Sequence, residues 1–379
     1  MMRLLILLLL LNIPTFALAA ESMPPRTPVP AIAARGYLLL DFHSGQAIAQ
    51  ANANERMEPA SLTKLMTAYL TFAALRQEHL HLKQTLPVSE RAWRAEGSRM
   101  FIQLNAPVMV EDLIRGMIVQ SGNDACIALA EGISGSEETF VQRMNEQAQK
   151  FGMKNTHFMN VTGLPHPQHY TTAFDLSILA RAIIRDFPEY YAYYSIKEFK
   201  YNNISQPNRN RLLWLDPTVD GMKTGHTESA GYCLITSARR DSRRLIAVVL
   251  GTASESARAA ESQKLLNYGF QFYDTHRIYE KGQVVATLPV WKGSQNILKA
   301  GVDQDVYISL PKGQYPFLKA AMVSKQPLLA PLAVNDQMGT IKLTLGDQPF
   351  AEYPLRALEN IPIANIFKRG LDSIKLMLK

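Results

Sequence analysis

The strand pattern that opens this chain at Tyr37 is completed only after Gly221, on the far side of a long helical stretch. Residues 37–41, a turn at His43-Ser44-Gly45 and residues 47–51 read as a β-hairpin. From Ser61 to about Gln77, Leu62, Leu65, Met66, Tyr69, Leu70 and Ala73 recur at helical spacing. Helical patterns follow over 111–119, 124–131, 137–151 and 175–186. Strands return at 232–238 and 245–251, joined by the polar run 239–244, and a helix over about 254–272 closes the block. A sheet begun at one end of a segment and finished at the other ties those ends together. The block is therefore one α/β domain with a helical insertion.

After Arg277 the pattern changes. Residues 283–291, 305–310 and 340–345 are short β-type runs punctuated by Lys312-Gly313 and Gly346-Asp347, and no helix is expected before Ile361. This reads as a separate, smaller β domain without catalytic character. The resulting division is a leader over 1–20, a Pro-rich lead-in over 21–35, the α/β domain over 36–276, the β domain over 277–360 and a helical tail over 361–379.

The leader has the form of a secretory signal: Arg3, an apolar run from Leu4 to Leu11 too short to span a bilayer, and Ala17-Leu18-Ala19 before the cleavage point. It directs the mature protein out of the cytoplasm. Two cysteines in 379 residues exclude a disulfide scaffold, and without a C-x-x-C pair they exclude a cysteine-built zinc site. Whether Cys126 and Cys233 pair stays open, two buried free thiols being the simpler reading. Nearly half of the net charge of +7 sits in the tail, where Lys368, Arg369, Lys375 and Lys379 face only Asp372. That distribution suits a membrane surface rather than nucleic acid. In the tail Ile363, Ile366, Phe367, Leu371, Ile374, Met377 and Leu378 recur every three or four residues between those charges, an amphipathic helix too short and too charged to cross a bilayer. The competing expectation is a terminal helix packed on the β domain.

Three short motifs carry the chemistry. Ser61-Leu62-Thr63-Lys64 sets a hydroxyl and an amine three residues apart at a helix start, on one face. Serine needs a base to become a nucleophile, and lysine serves only if its pKa is lowered, as a helix N-terminus and a second cation would do. Ser309-Leu310-Pro311-Lys312 repeats the spacing, but its proline sits inside the required turn, so it is set aside. Ser121-Gly122-Asn123 falls on a break between helical patterns and offers a hydroxyl and a carboxamide; Ser294-Gln295-Asn296 shows that this spacing also arises by chance. Lys223-Thr224-Gly225 opens the returning strand, giving a cation, a hydroxyl and a residue with no side chain to obstruct a ligand along the strand edge.

In this order the motifs form the S-x-x-K, S-x-N, K-T-G signature of serine enzymes that react with penicillin. The sequence resembles a low-molecular-mass penicillin-binding protein of the D-alanyl-D-alanine carboxypeptidase family. The resemblance runs from about Gly36 to Asp274 through residues 59–64, 120–125, 154–158 and 220–227, and more loosely into the β domain and tail. It implies a β-lactamase/transpeptidase-like α/β domain, an antiparallel sheet with a helical subdomain, followed by a small all-β domain and an amphipathic membrane-attaching helix. By the same resemblance Ser61 is the acylated nucleophile and Lys64 its base. Ser121 and Lys223 shuttle the proton, and Asn123 holds the substrate amide. The backbone N–H groups of Ser61 and His226 form the oxyanion hole, and Thr224 and Arg258, beside Gly225, bind the terminal carboxylate. The implied substrate is the peptidoglycan pentapeptide, with β-lactams as covalent inhibitors and no metal or organic cofactor. The implied location is the periplasm, on the outer face of the cytoplasmic membrane.

One departure bears on activity. Class A β-lactamases hydrolyse their acyl-enzyme with a glutamate between the second and third motifs. From Gln147 to Pro188 this chain has no glutamate, only Asp175, read as a helix cap, and Asp186. Penicillin is therefore expected to acylate Ser61 and leave slowly. The rivals on the same scaffold are a DD-endopeptidase or a weak β-lactamase. A zinc peptidase built on His157, His166 and His169 lacks an H-E-x-x-H helix. A non-enzymatic envelope scaffold is at odds with the intact motif set.

Overall fold

A computed structural model describes residues 23–378, so the expected leader lies outside the described residues. The central sheet is antiparallel and five-stranded. Its strands are β1 (Gly36–Asp41), β2 (Ala47–Ala51), β3 (Val219–Thr227), β4 (Gly231–Arg240) and β5 (Arg243–Thr252), in the spatial order β2-β1-β5-β4-β3. The hairpin and the returning strands meet where β1 pairs β5, Leu38 opposite Val248. The sheet is thus closed across the insertion, as the sequence pattern required.

Both faces of the sheet are covered. Leu38, Leu40, Ile235, Ile246 and Val248 face the helical insertion, while Leu39, Leu234, Leu245, Ala247 and Val249 face a helix on the other side. Alternate residues point to opposite faces, so burial on both makes β5 a continuous apolar run, Leu245 to Leu250. The insertion contributes α1 (Lys64–Arg76), α2 (Asn123–Ser134), α3 (Glu137–Lys150) and α4 (Ala173–Asp186); α5 (Glu255–Phe272) covers the opposite face. Ser136, Thr172 and Ser254 cap α3, α4 and α5 by accepting a backbone N–H from the first turn, each worth about 1 kcal/mol. The cap of α4 is therefore Thr172 and not Asp175. Asp175 sits one turn in, where its carboxylate accepts the Asn155 N–H and the Thr156 hydroxyl and ties that loop to the helix.

The second unit has its own core, built on Leu298, Ile308, Ile341, Leu343 and Leu355. The strand Tyr273–Tyr279 spans the expected boundary at 276 and pairs with Val306–Pro311. Ser309, from the motif set aside, lies in that latter strand, where its hydroxyl meets Ser44 at 2.8 Å and its N–H donates to Gln46 Oε1 at 2.6 Å. The Pro-rich lead-in lies across both units, with the Thr27 carbonyl accepting from Tyr268 and the Pro24 carbonyl from Gln314. The tail helix α6 (Ile366–Met377) touches the β domain through its polar side, Asp372 accepting the Lys292 N–H at 2.7 Å. Its apolar residues point outward; Phe367 is 81% and Met377 86% exposed. No described helix is long and apolar enough to cross a membrane.

Candidate active site

Ser61 does not open an α-helix. It lies in a 3-10 turn, Ala60–Thr63, that runs into α1 at Lys64. Side chains three residues apart eclipse in such a turn, which serves the pair better than an α-helix would. Lys64 Nζ stands 2.9 Å from Ser61 Oγ and donates to the Thr162 carbonyl at 2.6 Å. Burial lowers the Lys64 amine to about 8, with Arg209 adding to the effect and Cys126 and Asp124 opposing it.

The second motif follows a π-helical turn, Gly116–Gln120, whose last step is the Gly122 N–H bonding back to the Gly116 carbonyl. The wide turn leaves Ser121 at φ +63° and starts α2 at Asn123, so the break expected between two helices is present with a specific geometry. Asn123 Nδ2 donates to the Glu96 carbonyl at 2.6 Å. Asn123 Oδ1 and Ser121 Oγ are buried without a protein partner. A buried polar atom left unpaired costs about 1–3 kcal/mol, a sacrifice that marks both atoms as groups held for a ligand. Asp124 accepts from the backbone N–H groups of Met100, Phe101 and Ile102 and so pins the loop forming one rim of the cleft.

The third motif lies on β3, the edge strand of the sheet. Lys223 is buried, and burial first, then the charges of Lys64 and Arg209, holds its amine well below the usual lysine value. Thr224, Gly225, His226 and Arg258 join Ser61 and Ser121 around a cleft of about 340 Å³. Gly225 lines this cleft, but its missing side chain serves a different purpose from the one expected. A Cβ there would lie 3.1 Å from the Pro59 carbonyl oxygen and 3.2 Å from Ala60 Cβ, so glycine clears room for the nucleophile turn and not for a ligand. The His226 ring lies 4.0 Å from that of Tyr232, tilted by 31°. Arg258 is 4% exposed and donates to Glu255 at 2.8 Å, so it is no solvated helix arginine.

All the side chains singled out in the three motifs, and Arg258, thus converge. Sequence reasoning missed Gly97, Ser98 and Arg209, which complete the cleft wall. Arg209 sits between Asn208 and Asn210, whose side chains fix the local backbone, Asn210 reaching the Gly221 carbonyl at 3.0 Å. The Asn-rich stretch signals a turn, yet nothing in it says that the turn meets β3. His169, one of the three clustered histidines, is buried with its ring on the Thr63 hydroxyl at 2.9 Å, and burial lowers it to about 4. It is a neutral support of the nucleophile turn. Cys126 and Cys233 are both buried and free, their thiols pushed up by burial to about 12 and about 11.

Comparison with known proteins agrees with this geometry. Residues 22–254 match the D-alanyl-D-alanine carboxypeptidase family, and residues 273–362 match the C-terminal domain of penicillin-binding protein 5. The chain is 42% identical over 357 residues to the D-alanyl-D-alanine carboxypeptidase DacA of Escherichia coli K12, covering 92% of this chain and 89% of that one. The crystal structure of penicillin-binding protein 5 from Haemophilus influenzae superposes with a TM-score of 0.86 at 42% identity, over 89% of this chain and all of the other. Penicillin-binding protein D2 of Listeria monocytogenes, solved with ampicillin bound, matches 64% of this chain and all of its own, with a TM-score of 0.59 and 30% identity. With its Ser-Lys pair, its three converging motifs and both of its domains matched, this chain belongs to the D-alanyl-D-alanine carboxypeptidase family of serine DD-peptidases.

Proposed function

We propose that Ser61 attacks the carbonyl of the penultimate D-alanine of a peptidoglycan pentapeptide. The Ser61 proton passes to Lys64, the Oγ–C bond forms, and the terminal D-alanine leaves with a proton delivered through Ser121 and Lys223. Water then cleaves the acyl-enzyme and releases the shortened peptide. The observation that carries this reading is the buried Lys64 amine 2.9 Å from Ser61 Oγ, its hold on a proton weakened by burial and by the charge of Arg209.

The other roles follow from residue chemistry. Asn123, with a free Oδ1, accepts the substrate amide N–H. Thr224 and Arg258 receive the terminal carboxylate, a guanidinium and a hydroxyl being the pair suited to it. The backbone N–H groups of Ser61 and His226 hold the oxyanion. β-Lactams acylate the same serine, and residues 147–188, between the second and third motifs, supply no glutamate to speed their release.

The reading extends to location. Residues 1–20 are a secretory leader, and the mature protein works in the periplasm. The tail helix lies on the outer face of the cytoplasmic membrane, its outward apolar face in the lipid boundary and Lys368, Arg369 and Lys375 toward anionic headgroups.

The test is D-alanine release from a soluble peptide ending in D-Ala-D-Ala, using residues 21–379 and the Ser61→Ala variant. Release by the parent alone, with a fluorescent penicillin labelling only the parent, is the expected result. No release from a folded, penicillin-labelled parent would redirect the assignment to cross-link hydrolysis. Release by Ser61→Ala would remove Ser61 from its role.

A further inference from the structure

The loop at Asn160–Leu164 has no regular secondary structure, yet its backbone is held at consecutive residues. Asn160 Oδ1 accepts three hydrogen bonds, from the Thr162 N–H at 3.2 Å, the Thr162 hydroxyl at 3.1 Å and the Gly163 N–H at 2.7 Å. Its Nδ2 donates to the Leu164 carbonyl at 3.0 Å. The Val161 N–H donates to Glu137, itself buried and paired with Arg91. From the other side, α1 grips two successive carbonyls of the loop with side chains one turn apart. Thr67 Oγ1 donates to Val161 at 2.8 Å, and Lys64 Nζ to Thr162 at 2.6 Å.

We infer that Asn160 is a positioning residue for the acylation step: by folding this loop back on itself it aims the Thr162 carbonyl at Lys64 Nζ, and that carbonyl fixes which way the amine faces Ser61. The inference rests on the roles proposed above for Ser61 and Lys64. A neutral amine carries two N–H bonds and one lone pair. It acts as a base only if the lone pair, and not an N–H, meets the Ser61 hydroxyl. Rotation about the Cε–Nζ bond exchanges those positions freely unless one N–H is committed elsewhere. The Thr162 carbonyl, buried and within hydrogen-bond reach, commits it. A carbonyl needs support to stay directed at an amine, and here the three bonds accepted by one Asn160 oxygen supply it. Asn160 therefore works through Thr162, without touching substrate.

The experiment measures the rate constant for acylation by a fluorescent penicillin as a function of pH, in the full mature chain. The variants are Asn160→Ala, Asn160→Asp and Thr67→Val, with Ser61→Ala as control. Asn160→Ala is expected to lower the limiting acylation rate by about tenfold or more, as misplacement of a catalytic group does, while affinity for the first non-covalent complex stays within about twofold. Loss of a carbonyl that favours the charged amine also moves the pH limb to lower pH. Asn160→Asp keeps the Oδ1 acceptor and is expected to recover most of the rate, with the limb moved the other way by its charge. Thr67→Val, which keeps its shape and loses one bond to the same loop, gives a smaller fall in the same direction.

A parental rate and pH profile in Asn160→Ala, with only a lower melting temperature, would overturn the inference and leave the loop a purely structural element. If Asn160→Ala does not fold, Thr67→Val decides, and parental acylation by that variant overturns the inference in the same way. Acylation by Ser61→Ala would sink the underlying assignment and this inference with it, whereas a null result at Asn160 leaves that assignment standing.

Discussion

The two domains use buried polar groups for opposite ends. In the peptidase domain Lys64, Ser121, Asn123, Lys223, Thr224 and Arg258 are all at most 5% exposed; Ser121, Thr224 and Arg258 line one cleft with Ser61, and Lys64 stands behind that serine. From Arg277 onward the buried polar side chains among the described residues are Ser309, Gln314 and Asp372. Each of these is a joint. Ser309 reaches Ser44 across the domain boundary, Gln314 reaches Pro24 in the lead-in segment, and Asp372 holds the tail helix at Lys292. Burying polar groups is costly, so a fold keeps them where they are needed. In the first domain the need is chemistry. In the second it is attachment, and the β domain reads as a spacer between a cleft and a tail.

The contrast is tested most severely at Gly163, where the peptidase domain has no slack. It sits at φ +90°, and a Cβ on it would fall 1.8 Å from the Ala60 carbonyl oxygen, immediately before the nucleophile. Ala60 itself is held at φ +46°. Gly163→Ala must therefore displace the turn that carries Ser61. Acylation by penicillin is expected to fall by about a hundredfold or more, the scale for a displacement of about an ångström. Rapid-mixing kinetics on folded protein would check this, and a loss smaller than about threefold would mean that the turn tolerates movement.

How much of this the sequence discloses depends on whether the information is local. The S-x-x-K spacing, the break before Asn123 and the apolar periods of α3, α4 and α5 are local, and they read directly. The closure of the sheet reads too, because burial on both faces leaves β5 without polar alternation. The strand Leu318–Ser324 does not, since it is an edge strand almost wholly exposed and carries no two-residue apolar alternation. Gln348–Ala357 contains Pro349 and Pro354, which argue against a strand, yet it pairs with Gln337–Leu345 through two register shifts. The hairpin Glu198–Tyr201/Ile204–Pro207 turns on Asn202 and Asn203, both at positive φ. The strands beside the Asn pair are too short to show a periodic pattern in the sequence. At the site, Arg209 and the Thr162 carbonyl escaped because they matter only through tertiary contact, and a backbone carbonyl leaves no mark in a residue pattern.

A smaller effect, also confined to the first domain, concerns pH. Burial first, then Arg209, lowers Lys64 from its ordinary 10.5 to about 8. In the proposed mechanism the neutral amine is the base, so acylation should rise with pH through about 8 and level off above it. At pH 7 about a tenth of the amine is neutral, so the rise to the plateau is about tenfold. Because the charge of Lys64 also depresses the buried Lys223 amine, proton loss at one is linked to proton loss at the other. The linked stability effect has a definite sign. The folded-state value is below the unfolded one, so the unfolded chain binds more protons between about 8 and 10.5, and stability attributable to Lys64 rises with pH across that window. A flat acylation profile from pH 6 to 10 would remove Lys64 as the titrating base.

The smallest effect on turnover is expected at the other extreme of the molecule. Removing residues 365–379, and so keeping Ile361 in the core of the β domain, deletes a helix that meets that domain through the polar contacts of Asp372 and Lys368, while Ile366, Phe367, Leu371, Ile374 and Met377 project outward. Burying each such side chain in a lipid boundary is worth up to about 1.5–3 kcal/mol, and each basic residue at an anionic surface about 1 kcal/mol more. Losing the Asp372 contact costs the fold about 1–3 kcal/mol at most, and it lies in the domain that holds none of the cleft. The truncated protein should hydrolyse a soluble D-Ala-D-Ala peptide with kcat/KM within about twofold of the full mature chain, while its sedimentation with anionic vesicles disappears. Neutral vesicles separate the two contributions, since the apolar face alone should retain weaker binding than face and charges together. If truncation instead lowers turnover of the soluble peptide, the joints of the β domain transmit to the cleft, and the division between chemistry and attachment fails. If vesicle binding survives truncation, the lipid-facing surface lies elsewhere, and the outward apolar stripe of α6 must be covered by something other than a bilayer.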